Sequence, residues 1–213
     1  MPASTSASSI TLYGVPLSGH CHRVALLLEM LNLPYTSVDA PAGVRQSDHF
    51  LELNPLGQIP VLVDGDLALA DSNAILVYLA KRYAPGSHWL PEDAVQAASV
   101  QRWLSIAAGE VRYGPASARM TTLWNMPGEV DPALAAHIAH RLFRMMDSHL
   151  AERRFLLGSD VSIADLACYS YIAHAPEGRI SLDDYPAIRA WLSHVEALPR
   201  FIPMPRSAIP AES

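Results

Sequence analysis

The sequence has little cysteine, little charge and no long apolar run. Its 213 residues include two cysteines, Cys21 and Cys168, which excludes a disulfide framework and fits neither a CxxC nor a zinc-binding pattern. No uncharged run approaches the roughly 18 residues that span a bilayer. The net charge of −6 also excludes the basic surface that binds nucleic acid or an acidic membrane.

What the sequence does contain is typical of a folded protein. Half of the residues are apolar, which excludes intrinsic disorder, and the length allows one large domain or two small ones. The first nine residues, MPASTSASS, are small and polar and lack the basic start and apolar stretch of a secretory signal. We therefore expect residues 1–8 to form a loose tail and the protein to be cytoplasmic.

The first part of the chain alternates short apolar runs with helical patterns. A strand, a helix and a strand come first, followed by a short helix, a hairpin around Asp64-Gly65-Asp66 and a final helix. The first unit predicts parallel strands, and the hairpin adds an antiparallel pair. The predicted strands are Ile10–Tyr13, Tyr35–Val38, Pro60–Val63 and Leu67–Leu69, the short helix is Phe50–Leu53, and Ala40–Ser47 is predicted to be a loop.

The remainder of the chain shows only helical periods. Ser162 and Asp165 form a capping box before an apolar run. The sequence therefore predicts an α/β plus all-α protein, with a first domain at 1–84, a linker at 85–92 and an all-helical domain at 93–213. The predicted apolar stripes are Val100, Trp103, Leu104 and Ala107; Leu142, Met145, Met146 and Leu150; and Ile188, Trp191, Leu192 and Val195.

The first candidate for chemistry is Ser18-Gly19-His20-Cys21, between the first strand and the first helix. A helix N-terminus carries unpaired N–H groups and partial positive charge, so it stabilises a nearby anion. A hydroxyl there is a poor nucleophile, but it donates well to a thiolate that a ligand supplies. Ser18 also suits the simpler role of capping its helix.

The second candidate joins Ile59-Pro60 to Asp71-Ser72. Proline is unusual at the head of a core strand because it donates no ladder hydrogen bond, and a cis bond would turn the Ile59 backbone toward a ligand. Asp71-Ser72 begins a helix whose free N–H groups and Ser72 hydroxyl suit a carboxylate, whereas Asp71 suits an ammonium group. A ligand with an amino-acid end, a peptide middle and a thiol is glutathione.

Together these segments resemble a cytosolic glutathione transferase over about residues 9 to 200. The segments that carry the resemblance are Leu12-Tyr13, Ser18–Val24, Asn54–Leu62, Asp71–Ile75 and Ser162–Asp165. The resemblance implies a thioredoxin-like N-terminal domain, an all-helical C-terminal domain and a homodimer. Ser18 at the helix start is similar to the zeta, theta and bacterial classes, which use Ser or Cys there.

The resemblance also implies roles for individual residues. Ser18 would stabilise the glutathione thiolate, and Ile59 before cis-Pro60 would supply the backbone contact. Asp71 and Ser72 would hold the γ-glutamyl end, although Asp71 has a shorter reach than the Glu of many members. Gln58 would lie near the glycyl or cysteinyl end. The implied reaction is attack of the thiolate on an electrophilic small molecule, with glutathione as co-substrate and no metal.

Several alternatives stay open at the level of sequence. Cys21 would carry the chemistry if the reaction were thiol–disulfide exchange or peroxide reduction, and a non-catalytic binding role is a further alternative. Tyr13 is expected to pack in the core. Of His20 and His22, we expect one to border the site and the other to be solvated. The candidates for the acceptor-substrate pocket are Arg112, Tyr113, Arg119, Met120 and Trp124.

Overall fold

A computed structural model describes residues 10–126 and 130–211 of the chain. The loose tail expected at residues 1–8 lies outside the described residues. The N-terminal part forms one four-stranded sheet in the order β2-β1-β3-β4. Strands β1 and β2 are parallel, whereas β1 with β3 and β3 with β4 are antiparallel, as the sequence predicts. The strands are β1 (Ile10–Gly14), β2 (Tyr35–Asp39), β3 (Val61–Asp64) and β4 (Leu67–Ala70).

In the described part of the N-terminal region, four helices accompany this sheet. They are α1 (Gly19–Met30), α2 (Ala42–Arg45), α3 (Asp48–Leu53) and α4 (Ser72–Tyr83). Helix α1 ends where Asn32 adopts a left-handed φ of 55°, a conformation that Asn tolerates better than most residues. The prediction of a loop over Ala40–Ser47 was wrong in part, because a single helical turn, α2, begins directly after Pro41. Pro41 is the extended N-cap of this turn (φ −65°, ψ 174°), and its carbonyl accepts from the Arg45 N–H at 3.1 Å, which closes the turn.

The C-terminal part is helical. Its elements are α5 (Ala94–Ile106), a π-helical segment (Ala107–Ala116), α6 (Ser117–Trp124), α7 (Pro132–Leu150), α8 (Ile163–Ala173), a 3₁₀ turn (Ala175–Gly178) and α9 (Pro186–Glu196). The three predicted stripes face the core, with only Met145 partly exposed. The sequence did not predict the π-helical segment. It contains Pro115, which has no N–H to donate. It also contains Gly114, where an added Cβ would lie 3.0 Å from the Ala139 backbone of α7.

Helix α8 runs through the centre of the helical domain, and every residue in it is buried. The predicted capping box at its start is confirmed, but the carboxylate of Asp165 does more than cap. It accepts hydrogen bonds from the backbone N–H groups of Ser162 (2.9 Å) and Leu156 (2.8 Å), from the Ser162 hydroxyl (3.2 Å) and from Trp191 Nε1 (2.9 Å). Burial raises the pKa of Asp165, and these four hydrogen bonds oppose that rise.

The two parts of the chain pack directly against each other through α1 and α8. An added Cβ at Gly19, the first residue of α1, would lie 2.8 Å from the ring of Tyr171 on α8. Only glycine allows so close an approach of a helix start to a ring. Among the described residues, no helix is long and apolar enough to cross a membrane.

Candidate functional site

The sheet register brings the candidate segments to one edge of the sheet. Tyr13, near the end of β1, pairs with Val61 at the start of β3, and Val61 pairs with Ala70 at the end of β4. The segment that follows β1, the one that precedes β3 and the one that follows β4 therefore emerge side by side. These segments carry Ser18, Gln58-Ile59-Pro60 and Asp71-Ser72 respectively.

Ser18 is the N-cap of α1. Its backbone is extended (φ −88°, ψ 115°), and its hydroxyl oxygen accepts from the Cys21 N–H at 3.3 Å. The side chain is partly exposed. Because the oxygen acts as the acceptor in the cap, the hydroxyl keeps its proton for donation, to the Cys21 sulfur in the free protein and to a ligand atom when one is bound. Capping and donation to an anion are thus compatible roles for one hydroxyl.

Cys21 is buried beneath the start of α1. The residue is 6% exposed, and its Sγ would lie only 2.8 Å from a Cβ added at Gly14. Burial raises the pKa of the Cys21 thiol, although the hydrogen bonds from Ser18 and Val15 oppose the rise. A buried thiol with a raised pKa is a poor nucleophile, since only the thiolate attacks.

The segment before β3 has the predicted backbone geometry. The Ile59-Pro60 peptide bond is cis, which confirms the expectation. Asn54, which is buried, donates from Nδ2 to the carbonyl of Gln58 at 2.8 Å and accepts from the Leu56 N–H at 3.1 Å. These bonds hold the loop, while the side chain of Gln58 is exposed and Ile59 is partly exposed.

The start of α4 is fixed by contacts of Asp71 within the helix and of Ser72 with α1. Asp71 has a φ of 72°, and such a strained backbone costs a non-glycine residue about 1–3 kcal/mol. Its carboxylate caps the helix by accepting from the Ala74 N–H at 2.9 Å. Ser72 is 5% exposed. Its hydroxyl oxygen accepts from Arg23 Nη1 at 3.3 Å and lies 3.4 Å from His20 Nδ1.

The two histidines of α1 have different surroundings. His20 lies against Tyr171, with ring centroids 5.0 Å apart, and borders the start of α4 through Ser72. Its pKa is well below the ordinary value because of burial and, to a smaller extent, the nearby charges of Arg23 and Arg112. His20 is therefore neutral at pH 7.

The expectation that the other histidine is solvated was wrong. His22 is 6% exposed. Its Nδ1 forms a hydrogen bond with the Ser170 hydroxyl and its Nε2 forms one with the Ile202 carbonyl, each at 2.8 Å. The carbonyl only accepts, so Nε2 carries the proton and Nδ1 accepts from Ser170. Burial lowers the pKa of His22 to about 4.

The acceptor-pocket candidates divide into two groups. Arg112 and Tyr113 lie on the π-helical segment and are partly exposed, and the charge of Arg112 reaches His20. Met120 is partly exposed on α6, and Trp124 is 40% exposed at its end. These four residues are accessible to a ligand.

Arg119 differs from the expectation. It is 1% exposed, and its Nε donates to Glu177 at 2.7 Å while Nη1 donates to the Leu17 carbonyl at 2.9 Å. Instead of lining an open pocket, this guanidinium ties α6 and the 3₁₀ turn to the residue before Ser18. Sequence reasoning missed that contact because Leu17 and Arg119 are far apart in the chain.

The cluster His20-Cys21-His22 does not converge on one point. The three side chains contact Ser72, Gly14 and Ser170 respectively. Across residues 10–126 and 130–211, no group of three or more His, Cys, Asp or Glu side chains could hold a metal ion.

Comparison with known proteins gives matches in both parts of the chain. The glutathione S-transferase N-terminal domain model matches residues 12–87, and the glutathione S-transferase C-terminal domain model matches residues 126–199. Glutathione S-transferase 3 of Zea mays is 34% identical, with 92% of this chain and 96% of the relative covered. Glutathione S-transferase theta-1 of Mus musculus is 29% identical over 88% of this chain and 82% of the relative.

Solved structures agree with the fold. A glutathione S-transferase from Pseudomonas fluorescens superimposes with a TM-score of 0.86 at 34% identity, and 92% of this chain and 99% of that chain are covered. A glutathione transferase homologue from Drosophila mojavensis, solved with bound glutathione, has a TM-score of 0.78 at 27% identity and covers 90% and 89% of the two chains.

Proposed function

Because this chain belongs to the glutathione S-transferase family, we propose that it binds glutathione and activates the thiol for attack on an electrophilic small molecule. The observation that carries the proposal is the position of Ser18. Its hydroxyl oxygen accepts the capping bond from the Cys21 N–H, so its proton can donate to a ligand atom at the N-terminus of a twelve-residue helix. The glutathione bound in the related Drosophila mojavensis structure supports the identity of that ligand.

Ser18 and the N-terminus of α1 would act on the ionisation of the bound thiol. A free thiol has a pKa near 8.5, so at pH 7 only a few per cent is thiolate. Lowering this pKa by about two units, equivalent to roughly 2.7 kcal/mol, makes the thiolate the main form. A charge-assisted hydrogen bond together with a helix N-terminus is of that order.

The remaining contacts would orient glutathione along the sheet edge. We assign the backbone of Ile59, beside Pro60, to the peptide middle and the exposed side chain of Gln58 to the glycyl or cysteinyl end. Ser72 and the first N–H groups of α4 would bind the γ-glutamyl carboxylate, and Asp71 would bind the ammonium group. The electrophile would enter over Arg112, Tyr113, Met120 and Trp124, which are the accessible candidates.

The burial of Cys21 argues against exchange chemistry, and one experiment compares the two reactions. Conjugation of glutathione to an aryl halide is measured beside reduction of a small disulfide, for wild type, Ser18→Ala, Ser18→Thr and Cys21→Ser. Loss of one donor to developing charge typically costs about 10²–10³ in rate, and we expect the lower end because the helix terminus remains. Ser18→Thr keeps a hydroxyl and serves as the control.

The expected pattern is slow conjugation in Ser18→Ala and near-wild-type conjugation in Cys21→Ser. The opposite pattern, with glutathione added to Cys21 in the mass spectrum of the wild type, would contradict the assignment in favour of exchange. If all four proteins bind glutathione and none reacts, the chain is a non-catalytic member of the family.

We further propose that the protein is a cytoplasmic homodimer, divided into the domains 1–84 and 93–213. Leu56, in the loop before β3, is 77% exposed, and Val95, in the first turn of α5, is 74% exposed. We assign these two exposed apolar side chains to the proposed interface. Light scattering should give twice the chain mass, and the double variant Leu56→Ser, Val95→Ser should shift it toward the monomer. A monomeric wild type would contradict this proposal.

A further inference from the structure

Arg119 in α6 connects the helical domain to the turn that carries Ser18. It is 1% exposed, and its Nη1 donates to the carbonyl of Leu17 at 2.9 Å. This carbonyl belongs to the peptide group whose N–H, that of Ser18, donates to the Val15 carbonyl at 3.2 Å. The peptide group directly before the candidate thiolate donor is therefore held at both of its ends.

Burial of side chains contributes little to the position of this turn. Val15, Leu17 and Ser18 are partly exposed, and Pro16 is exposed. The turn therefore depends on the hydrogen bonds of its backbone. On the other side of the turn, the Ser18 carbonyl accepts from the His22 N–H at 2.9 Å. Both peptide groups that flank Ser18 thus have partners, and together they set the direction in which its hydroxyl leaves the backbone.

Glu177 holds the guanidinium in the orientation that reaches Leu17. Its Oε2 accepts from Arg119 Nε at 2.7 Å, and its Oε1 accepts from His174 Nδ1 at 2.7 Å and from the Ser207 N–H at 3.2 Å. Burial would raise the pKa of Glu177, but these hydrogen bonds lower it. The carboxylate is therefore charged at pH 7 and forms a buried ion pair with Arg119.

The backbones that carry this ion pair are in direct contact. Gly178 follows Glu177 in the 3₁₀ turn, and an added Cβ there would lie 2.6 Å from the backbone nitrogen of Arg119. The planar guanidinium then fixes the directions of both of its bonds. The ion pair alone does not account for the bond to Leu17, which directs part of the guanidinium toward the candidate site.

We propose that Arg119 is a positioning residue for thiol activation, because it fixes the Leu17–Ser18 peptide group and thereby aims the Ser18 hydroxyl at the bound thiolate. The inference rests on the proposed function and adds a residue of the helical domain to a site that the sheet domain forms. Hydrogen bonds weaken steeply when the angle at the hydrogen falls below about 120°. A turn without this contact would lose part of the stabilisation of the thiolate, although the hydroxyl itself is still present.

The test is the pKa of the glutathione thiol in the complex, measured by ultraviolet absorbance of the thiolate. The main variant combines Arg119→Met with Glu177→Gln, so that neither buried charge is left without its partner. We expect the thiol pKa to rise by about half of the rise that Ser18→Ala causes, because the hydroxyl remains but is poorly aligned. The titration contains no electrophile, so a change at Trp124, whose ring centroid lies 5.1 Å from the guanidinium carbon, does not affect the readout.

A double-mutant cycle shows whether Arg119 acts through Ser18. In the Ser18→Ala background, the combined Arg119→Met, Glu177→Gln change should cause no further rise in the thiol pKa, since no hydroxyl is left to aim. The control Asp147→Ala removes the acceptor of two backbone N–H groups at the start of α9. It disturbs the helical domain at another place and should leave the thiol pKa unchanged.

Arg119→Lys provides a second variant if the combined one fails to fold. Lysine keeps the positive charge beside Glu177, but it has one nitrogen in place of the two that contact Glu177 and Leu17. We expect a smaller rise in the thiol pKa than in the combined variant, and again no further rise in the Ser18→Ala background.

Two results would overturn the inference without affecting the proposed function. One is a wild-type thiol pKa in the Arg119 variants while Ser18→Ala raises it, which would make the ion pair purely structural. The other is an equal rise with and without the Ser18 hydroxyl, which would mean that Arg119 does not act through Ser18. A wild type that binds no glutathione, or a thiol pKa that Ser18→Ala leaves unchanged, would instead overturn the proposed function, and the role of Arg119 with it.

Discussion

Replacement of Asp165 tests the packing that holds the helical domain together. Its carboxylate accepts four hydrogen bonds, three from N–H groups and one from a hydroxyl. In Asp165→Ala the three buried N–H groups would have no acceptor, which lowers the free energy of unfolding by about 1–3 kcal/mol for each group. That sum is comparable with the whole stability of a typical protein, about 5–15 kcal/mol. We therefore expect little folded Asp165→Ala protein.

Asp165→Asn is the informative variant because it keeps the shape of the side chain. Its amide oxygen can still accept from the N–H groups of Leu156 and Trp191, and its NH₂ can donate to the Ser162 hydroxyl. Only the Ser162 N–H then has no acceptor, and the remaining hydrogen bonds are made to a neutral amide instead of a charged carboxylate. We expect the free energy of unfolding to fall by about 2–4 kcal/mol.

The assay is urea unfolding, followed by circular dichroism and tryptophan fluorescence. The matched control is Asp93→Ala, because Asp93 is an exposed N-cap that accepts from Val95 and Gln96 at the start of α5. Loss of such a cap costs about 0.5–2 kcal/mol. If Asp165→Asn cost no more than Asp93→Ala, the structural role of the buried carboxylate would be refuted.

Two further changes have definite outcomes. Ser72→Ala removes a hydrogen bond to a charged carboxylate, so glutathione affinity should fall about tenfold or more by calorimetry; a loss of stability with unchanged affinity would make Ser72 only a structural residue. His22 titrates near pH 6.5 when unfolded and near 4 when folded, so its neutral form stabilises the fold above pH 6.5. This stability, about 3 kcal/mol, is lost as the pH falls toward 4. His20 and His174 shift in the same direction, so His22→Gln should flatten only part of the pH dependence; an unchanged slope would contradict the burial of a neutral ring.

Local patterns were sufficient to predict much of the fold. The βαβ unit and the hairpin around Gly65 predicted the mixed sheet, because each depends on residues close together in the chain. The stripes that include Trp103 and Trp191 predicted buried helix faces for the same reason. The edge of the sheet that holds the candidate site could also be predicted, because Ile59-Pro60 and Asp71-Ser72 flank adjacent strands.

The polar contacts between distant segments could not be predicted in this way. Arg23 meets Ser72 and Asn73 about fifty positions later, and His22 meets Ile202. A sequence pattern shows which face of a helix is buried, but not which polar partner lies opposite. One signal was present: Arg23 lies four residues before the buried Leu27 and therefore on its face of α1.

The most direct test of the central claim is the pKa of the glutathione thiol in the complex. Ultraviolet absorbance of the thiolate, titrated from pH 5 to 9, gives this pKa for wild type, Ser18→Ala and the control Ser18→Thr. We expect the wild type to lower the pKa by about two units from its free value near 8.5. Ser18→Ala should return it part of the way while binding glutathione with little change in affinity. A thiol pKa that is the same in wild type and Ser18→Ala would contradict the claim that Ser18 activates glutathione.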